Sequence, residues 1–398
     1  MSKKIKMIRS LSEAVEYFKL MMEAHPERNA LDAALAAMAG KRRKYPCFSL
    51  GYQIRPDDKT TVRDELALPE VKMPDTPECN LARDVVHLLN HLQMFNPVSP
   101  VLGLGKGTGT LVSSFGIPLN SELGNTPSHT LTFNEILASP DPDPATSGLM
   151  PEMRNKIEFI KKTLSPGDGF FIGLPDMQGP FNIAHAIAGE EILTGPYVDP
   201  EQFHAVMARV TELWIQSLKN LSKWIGPEWL YPVQKQIVRI AECSVNLVSA
   251  EFYKEFILPY DLKIFNAFNL PLLIHTCSGP HVFHATLDNL PDMLFTEAGF
   301  IKCAVRGWTP VGEALEAIGD RPIVLNIGQE IWNSDDAETV IGSDFDLYEK
   351  HPRLLFGYTQ MEWKNQDKPK IREIHRKLDG YWAKKYGNVM PDENGTGR

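Results

Sequence analysis

The sequence predicts an α/β protein built as a (β/α)8 TIM barrel with an N-terminal helical elaboration. Short apolar runs alternate with amphipathic segments of helical period from about residue 151 to residue 384, which is typical of parallel strands joined by helices. Six or more such units follow one another within the 398 residues. A series of that length favours a closed barrel over an open sheet.

The predicted elements can be taken in chain order. An alanine-rich stretch with Pro26 near its start indicates a helix over residues 26–40. Residues 199–202 read Asp-Pro-Glu-Gln, a strong helix start because the aspartate can cap and the proline fits the first helical position. Short apolar runs predict strands at 170–174, 237–241, 271–275, 293–296, 323–326 and 354–356. Further helices are predicted at 153–164, 250–267, 335–349 and 368–384, with another beginning at Thr309.

Two parts of the chain are predicted from this order. Residues 1–44 form an N-terminal helical segment packed on the barrel, and residues 45–398 form the barrel itself. At roughly 150 residues per domain the length is also compatible with two or three domains. Single barrels with insertions reach this size, however.

Composition and charge exclude several classes of protein. Hydrophobic residues make up 43% and charged residues 23%, which excludes a collagen, a coiled coil or a mostly disordered chain. A net charge of −9 argues against a nucleic-acid partner, since dedicated nucleic-acid binders are usually basic. No apolar run has the length of a signal peptide or a membrane span. We therefore expect a cytoplasmic protein with no membrane partner, in which the five cysteines stay reduced.

Polar side chains follow the predicted strands, which is where barrel active sites lie. The candidates for orienting a substrate in catalysis are Asp176, Gln178 and Tyr358, and the candidates for binding it are Glu242, Glu297 and Asn326.

The sharpest local pattern is His-Thr-Cys at residues 275–277. On an extended backbone, residues i and i+2 point to the same side, so the imidazole of His275 and the thiolate of Cys277 can converge on one ion. These are donors that zinc prefers. A third protein ligand is required, and the candidates left open are Cys303, Glu242, Cys243, Glu297 and His281.

Two other patterns resemble known functional motifs but do not match them. The glycine-rich residues 103–110 fit neither the P-loop nor the GxGxxG spacing, and we interpret them as a loop at the barrel mouth. His87 and His91 lie four residues apart, but position 88 is leucine. The metalloprotease motif HExxH is therefore absent, and the two residues are interpreted as ordinary helix histidines.

A series of motifs resembles the uroporphyrinogen decarboxylase superfamily. The resemblance covers residues 150–385 well and residues 26–150 weakly, and it implies a (β/α) barrel. The motifs that carry it are GLPDMQGPF at 173–181, AGEE at 188–191, DPE at 199–201, VSAEF at 248–252, FILPY at 256–260, LIHTC at 273–277 and RPIVLNIG at 321–328.

Within that superfamily the chain resembles the zinc-dependent corrinoid methyltransferases more than the true decarboxylases. Residues 47–55 do not match the arginine-rich loop of the decarboxylases, and no Phe-Ser-Asp motif is present. His275 and Cys277 match the HxC of the methyltransferases, whereas residues 356–359 stand where that branch has its distant cysteine. The resemblance implies zinc, a corrinoid carried on a partner protein and a small methyl donor. Aromatic residues such as Phe181 and Trp308 would suit a methoxylated aromatic compound as that donor.

Two alternatives remain beside the methyltransferase interpretation. One is a metal-free, decarboxylase-like enzyme that acts on a non-tetrapyrrole acid, with Arg239 or Arg306 as the anion anchor. The other is a non-catalytic barrel that binds a ligand or a corrinoid protein without turnover, which the missing distant cysteine favours.

Overall fold

The computed structural model describes residues 6–25, 29–39, 49–51, 69–93, 98–105, 107–120 and 126–275, together with short segments at 285, 288–289, 295–299, 319, 323–326, 354–356 and 358–360. Two compact units divide the chain. The first unit comprises Met1–Pro100 and Val324–Arg398, and the second unit is Val101–Ile323. The sequence-based boundary at residue 44 stays a prediction.

The described helices and strands are numbered here in chain order. The helices are α1 (Leu11–Ala24), α2 (Ala30–Met38), α3 (Pro77–Gln93), α4 (Phe133–Ala138), α5 (Met150–Thr163), α6 (Pro180–Ala188), α7 (Glu191–Val198), α8 (Pro200–Ile225), α9 (Ala250–Phe252) and α10 (Leu258–Phe268). The strands are β1 (Met7–Ile8), β2 (Ser49–Gly51), β3 (Glu70–Val71), β4 (Val101–Gly103), β5 (Leu119–Asn120), β6 (Thr126–Pro127), β7 (Phe171–Gly173), β8 (Val238–Ala241), β9 (Leu272–His275), β10 (Phe295–Gly299), β11 (Ile323–Asn326), β12 (Leu354–Phe356) and β13 (Tyr358–Gln360).

The first unit is organised around helices α1 and α3, which pack against each other. Helix α1 begins at Ser10, whose side chain accepts a hydrogen bond from the backbone N–H of Glu13. Helix α2 begins later than the sequence predicts, because the side chain of Asn29 accepts from the backbone N–H of Leu31 and caps the helix there. In the same unit β1 pairs with β3 and β2 with β13, both in parallel.

The second unit contains the parallel strands that position the candidate site. Strand β9 lies between β8 and β10, and in its register Ala241, His275 and Glu297 form one row. Strand β7 pairs in parallel with β4 and forms an isolated parallel bridge from Ile172 to Leu230. Because the strands are parallel, their carboxyl ends meet at the same edge of each group.

Helix α8 is the central helix of the second unit. It runs for 26 residues and begins where the sequence predicts, with the side chain of Asp199 accepting from the backbone N–H of Gln202. Its buried residues, among them Phe203 and Trp214, pack against helices α4, α5, α6, α7 and α10. Burying each such large apolar side chain contributes roughly 1.5–3 kcal/mol to stability.

Helices α9 and α10 replace the single helix predicted at 250–267. A π-helical turn, Tyr253–Ile257, lies between them, just before Pro259 near the start of α10. Proline has no N–H to donate and its ring clashes with the carbonyl four residues earlier, so regular helix geometry cannot continue through this point. The wider turn carries the chain past it.

The α/β class predicted from the sequence is confirmed by these parallel strands and their connecting helices. The strands described here form no closed ring, so closure into an eight-stranded barrel stays a prediction. Predicted helices at 335–349 and 368–384, and the one that begins at Thr309, lie outside the described residues. In the parts of the chain that the structure describes, no helix combines the length and the apolar character that crossing a membrane requires.

Candidate functional site

The segment that follows β7 carries two of the predicted catalytic residues. Asp176 forms an ion pair with Arg239 of β8, with 3.1 Å between Oδ1 and Nη1, and both side chains are 34% exposed. The same Oδ1 accepts a hydrogen bond from the backbone N–H of Gln178 at 3.2 Å. Asp176 is therefore held in place by two groups while part of its carboxylate faces solvent.

Gln178 adopts a backbone conformation that side chains rarely occupy. Its φ angle is +54°, in the left-handed region that favours glycine. Two hydrogen bonds hold it there: the indole N–H of Trp214 donates to its carbonyl oxygen at 2.7 Å, and the side-chain amide of Asn182 donates to its Oε1 at 2.7 Å. Strain maintained by the surrounding structure is common at functional sites.

Glu242 directly follows β8 and is completely buried. Its Oε1 accepts from the backbone N–H of Phe181 at 3.1 Å, and its Oε2 accepts from that of Asn182 at 3.0 Å. These donors belong to the first turn of α6, where N–H groups have no partner within the helix. Glu242 therefore caps α6 from a different part of the chain.

The cap explains why position 179 is a glycine. The backbone N–H of Gly179 donates to the carbonyl oxygen of Ala241 at 2.7 Å, which draws this backbone close to the end of β8. A Cβ at position 179 would lie 2.0 Å from Oε1 of Glu242, well inside contact distance. Only glycine allows the carboxylate to reach the helix.

A second buried acid lies near Glu242. Asp261 of α10 is completely buried, and its Oδ2 accepts from the hydroxyl of Tyr253 at 2.8 Å. Burial raises the pKa of Asp261 to about 7, against the lowering effect of that hydrogen bond. Burial first, and the charge of Asp261 second, raise the pKa of Glu242 well above its ordinary value, against the two backbone hydrogen bonds.

A polar chain that the sequence did not predict extends from Gln178 along α6. The Oδ1 of Asn182 accepts from the backbone N–H of Ser244 at 2.5 Å, and Nδ1 of His185 lies 2.9 Å from the hydroxyl of Ser244. Burial lowers the pKa of His185. Asn182 and His185, three residues apart, lie near one face of α6, whereas Gln178 precedes the helix. That spacing was the available signal.

The predicted metal ligands are described only in part. His275 ends β9, is half-buried, and its carbonyl oxygen accepts from the backbone N–H of Glu242 at 2.7 Å. Cys277, Cys303 and His281 lie outside the described residues. Within the described ranges, no three histidine, cysteine or acidic side chains are grouped so that they could hold a metal. Of the predicted His275–Cys277 pair, the structure therefore describes only the imidazole of His275, at a strand end. An imidazole is a suitable zinc ligand.

Three other predicted residues are placed by their backbone alone. Glu297 lies in β10, in register with His275. Asn326 ends β11, and Tyr358 begins β13 in register with Ser49 of β2. The two belong to the first unit, and the roles given to all three stay predictions.

A cavity of about 790 Å³ lies beside the segment after β7. Asp176 and Arg239 are part of its wall, Leu218 and Phe268 contribute apolar surface, and Lys219 and Lys235 add two further positive charges. This volume is within the range of small-molecule sites, which are mostly apolar with a few polar groups. The arrangement can bind a small molecule beside a fixed ion pair.

Comparisons with known proteins agree with this class of fold. Residues 109–295 match the sequence model of the uroporphyrinogen decarboxylase (URO-D) family. The chain is 27% identical over 180 residues to a methylated-thiol–coenzyme M methyltransferase of Methanosarcina mazei, and this alignment spans 45% of the chain and 44% of that relative. A solved structure of a methyltransferase from Methanosarcina mazei has a similar fold, with a TM-score of 0.59 and 14% identity over 88% of this chain and 98% of that one.

These matches confirm the resemblance that the motifs predict. The chain resembles the uroporphyrinogen decarboxylase superfamily and, within it, the methyltransferase branch.

Proposed function

We propose that this protein is a corrinoid-dependent methyltransferase-like enzyme, which moves a methyl group between a small substrate and a corrinoid protein. The observation that carries the proposal is the likeness to a named methyltransferase. It is supported by the strand-end position of His275 within the residues that match the family. The corrinoid is proposed to be carried by a separate partner protein.

The cavity beside β7 is proposed to bind the methyl donor. Its apolar surface, with the ring of Phe268, suits a small methylated compound such as a methoxylated aromatic. Asp176, fixed by Arg239 and by the N–H of Gln178, can orient a polar group of the substrate without moving first. Preorganisation of this kind lowers the cost of reaching the reactive geometry.

His275 and Cys277 are proposed to hold a zinc ion at the carboxyl end of β9. Zinc supplies Lewis acidity toward the oxygen, nitrogen or sulfur of a methyl donor or acceptor. The third ligand is open among Cys303, Cys243, Glu297 and His281. Glu242 is the weakest of the earlier candidates, because both of its oxygens already accept backbone hydrogen bonds inside the core.

The remaining residues are given supporting roles. Gln178, held by Trp214 and Asn182, and Tyr358 are proposed to orient the substrate. Glu297 and Asn326 are proposed to bind the substrate. Glu242 is proposed to affect substrate binding indirectly, by holding α6 in position.

Metal analysis and a methyl-transfer assay test the proposal. We expect purified wild-type protein to contain zinc, and His275→Ala and Cys277→Ser each to lose it. The assay uses cob(I)alamin as methyl acceptor and a donor panel of a methylated thiol, a methylamine and a methoxylated aromatic compound. His129→Ala, an exposed histidine in the second unit, is the matched control and should retain zinc and activity. Zinc-free wild-type protein, or transfer unaffected by both site variants, would contradict the mechanism.

One observation favours a second candidate, a decarboxylase-like activity without a metal. The cavity is lined by Lys219, Lys235 and Arg239 and by one acid, Asp176, and such a positive lining favours an anionic substrate. In this case Arg239 is the anion anchor. Release of carbon dioxide from small aromatic or aliphatic acids, unchanged by a chelator and lost in Arg239→Gln, would favour this candidate over methyl transfer.

A further inference from the structure

Two histidines of helix α3 face each other across one helical turn. Nε2 of His87 and Nε2 of His91 are 3.2 Å apart, and the ring centroids are 4.6 Å apart with the planes at 79°. A different face of the helix, which includes Val85 and Leu89, is buried inside the first unit, where α3 packs against α1. His87 is exposed and His91 is half-buried, so solvent reaches the pair.

The separation of the two nitrogens matches that of two ligands on one metal ion. Imidazole nitrogens bind zinc at about 2.0–2.1 Å. Two nitrogens 3.2 Å apart, each at that distance from an ion, subtend an angle of roughly 100° there. This lies between the angles of square-planar and tetrahedral coordination. The helix already holds the two rings at i and i+4, so a rotation of the side chains is enough to direct both Nε2 atoms at one ion.

The electrostatic state of the rings is also suitable. Partial burial lowers the pKa of His91 to about 4. The neutral imidazole is the form that binds metal. Asp84, three residues before His87, places a negative charge close enough to act on that ring, which favours a nearby cation.

We propose that His87 and His91 form a bidentate binding site for a divalent late transition-metal ion such as Cu²⁺, Ni²⁺ or Zn²⁺. Without metal, the Nε2–H of one ring donates a hydrogen bond to Nε2 of the other ring across the 3.2 Å gap. When the ion binds, that ring moves its proton from Nε2 to Nδ1 by exchange with water, and both Nε2 atoms become ligands. Because no cluster of three candidate ligands exists among the described residues, water completes the shell. The order of affinity should be Cu²⁺ above Ni²⁺ and Zn²⁺.

Titration with Ni²⁺ by calorimetry tests this site. The parent protein is the full chain with His275→Ala and Cys277→Ser, so that the candidate catalytic metal site does not contribute. We expect one saturable Ni²⁺ site per chain and a rise in Tm with Ni²⁺, since a ligand of the folded state stabilises it. His87→Asn and His91→Asn should each weaken binding at least about tenfold, which is about 1.4 kcal/mol, and reduce the rise in Tm accordingly.

His129→Asn in the same parent is the matched control, because it removes an exposed histidine from the second unit. It should bind Ni²⁺ as the parent does. Thermal unfolding without metal shows whether a variant has lost its fold or only its metal site. Because His87 is exposed, His87→Asn should have a Tm close to that of the parent without metal. The proposal fails if the parent shows no saturable site, or if the double variant His87→Asn/His91→Asn binds Ni²⁺ as tightly as the parent.

Discussion

Glu242 and Asp176 both follow parallel strands of the second unit, yet the structure uses them in opposite ways. Glu242 is sealed in the core, with both oxygens bonded to the backbone of α6. Asp176 is partly exposed beside the cavity, where it pairs with Arg239. A position at a strand end therefore does not decide whether an acid meets a substrate. Burial and hydrogen-bond partners decide it.

The comparison separates a structural carboxylate from a candidate binding carboxylate. Removing the first should affect stability most, and removing the second should affect binding and activity most. The variants below test this contrast in order of their expected effect on stability.

Glu242→Ala should produce the largest loss of stability. It leaves the backbone N–H groups of Phe181 and Asn182 buried without an acceptor, and it opens a void at the start of α6. We expect a loss of about 4 kcal/mol in the free energy of unfolding, measured by denaturant titration at pH 5. Glu242→Gln keeps one acceptor oxygen and should lose roughly half as much. An alanine variant as stable as wild type would show that the cap is unimportant.

Asp261→Asn should change how stability depends on pH. Unfolded aspartate loses its proton near pH 4, whereas in the folded protein Asp261 holds it until about pH 7. The folded state therefore binds more protons between these values, and stability falls as the pH rises through this window, by up to about 1.4 kcal/mol per pH unit for one proton. Asparagine removes this part of the slope.

Unfolding titrations at pH 5, 6, 7 and 8 measure that slope and its upper end. Tyr253→Phe is an informative second variant, because the hydroxyl of Tyr253 that it removes lowers the pKa of Asp261. Without it, the decline should extend to higher pH. Parallel pH profiles for wild type and Asp261→Asn would contradict the raised pKa.

Gly179→Ala should test the contact between α6 and Glu242. The added Cβ would lie 2.0 Å from Oε1, and the carboxylate cannot turn away without losing its two backbone hydrogen bonds. We expect a loss of about 2 kcal/mol. In the Glu242→Ala background the same substitution should cost far less, so a double-mutant cycle measures the coupling. Additive effects of the two substitutions would rule out the steric explanation.

Local sequence patterns were sufficient for much of the second unit. Apolar runs predict β8 and β9 to within a residue, because a buried parallel strand needs an unbroken apolar sequence. Asp199 and Pro200 predict the start of α8 because capping depends on adjacent residues. Both signals are local, and both were confirmed.

The function of individual polar residues required contacts that are distant in sequence. Glu242 accepts a hydrogen bond from Phe181 of α6, which lies 61 residues earlier in the chain. The strained Gln178 is held by Trp214, which lies 36 residues later. Asp261 was missed because a polar residue on a surface helix is usually exposed, and only the fold buries it against Tyr253. The strand ends do not show which side chain faces the cavity.

Asp176→Asn should have the smallest effect on stability and the clearest effect on function. Its ion pair with Arg239 is 34% exposed on both sides, and ion pairs of this kind contribute less than about 1 kcal/mol. The asparagine keeps an oxygen that can accept from the N–H of Gln178, so the segment after β7 should keep its conformation. Methyl transfer should nevertheless fall at least about tenfold, because the fixed charge on the cavity wall is lost. Arg239→Gln removes the partner and keeps the Asp176 carboxyl group, so it distinguishes the contribution of Asp176 to activity from that of Arg239. If Asp176→Asn unfolds as easily as Glu242→Ala, or retains full activity, the distinction between a sealed and a cavity-facing carboxylate does not hold.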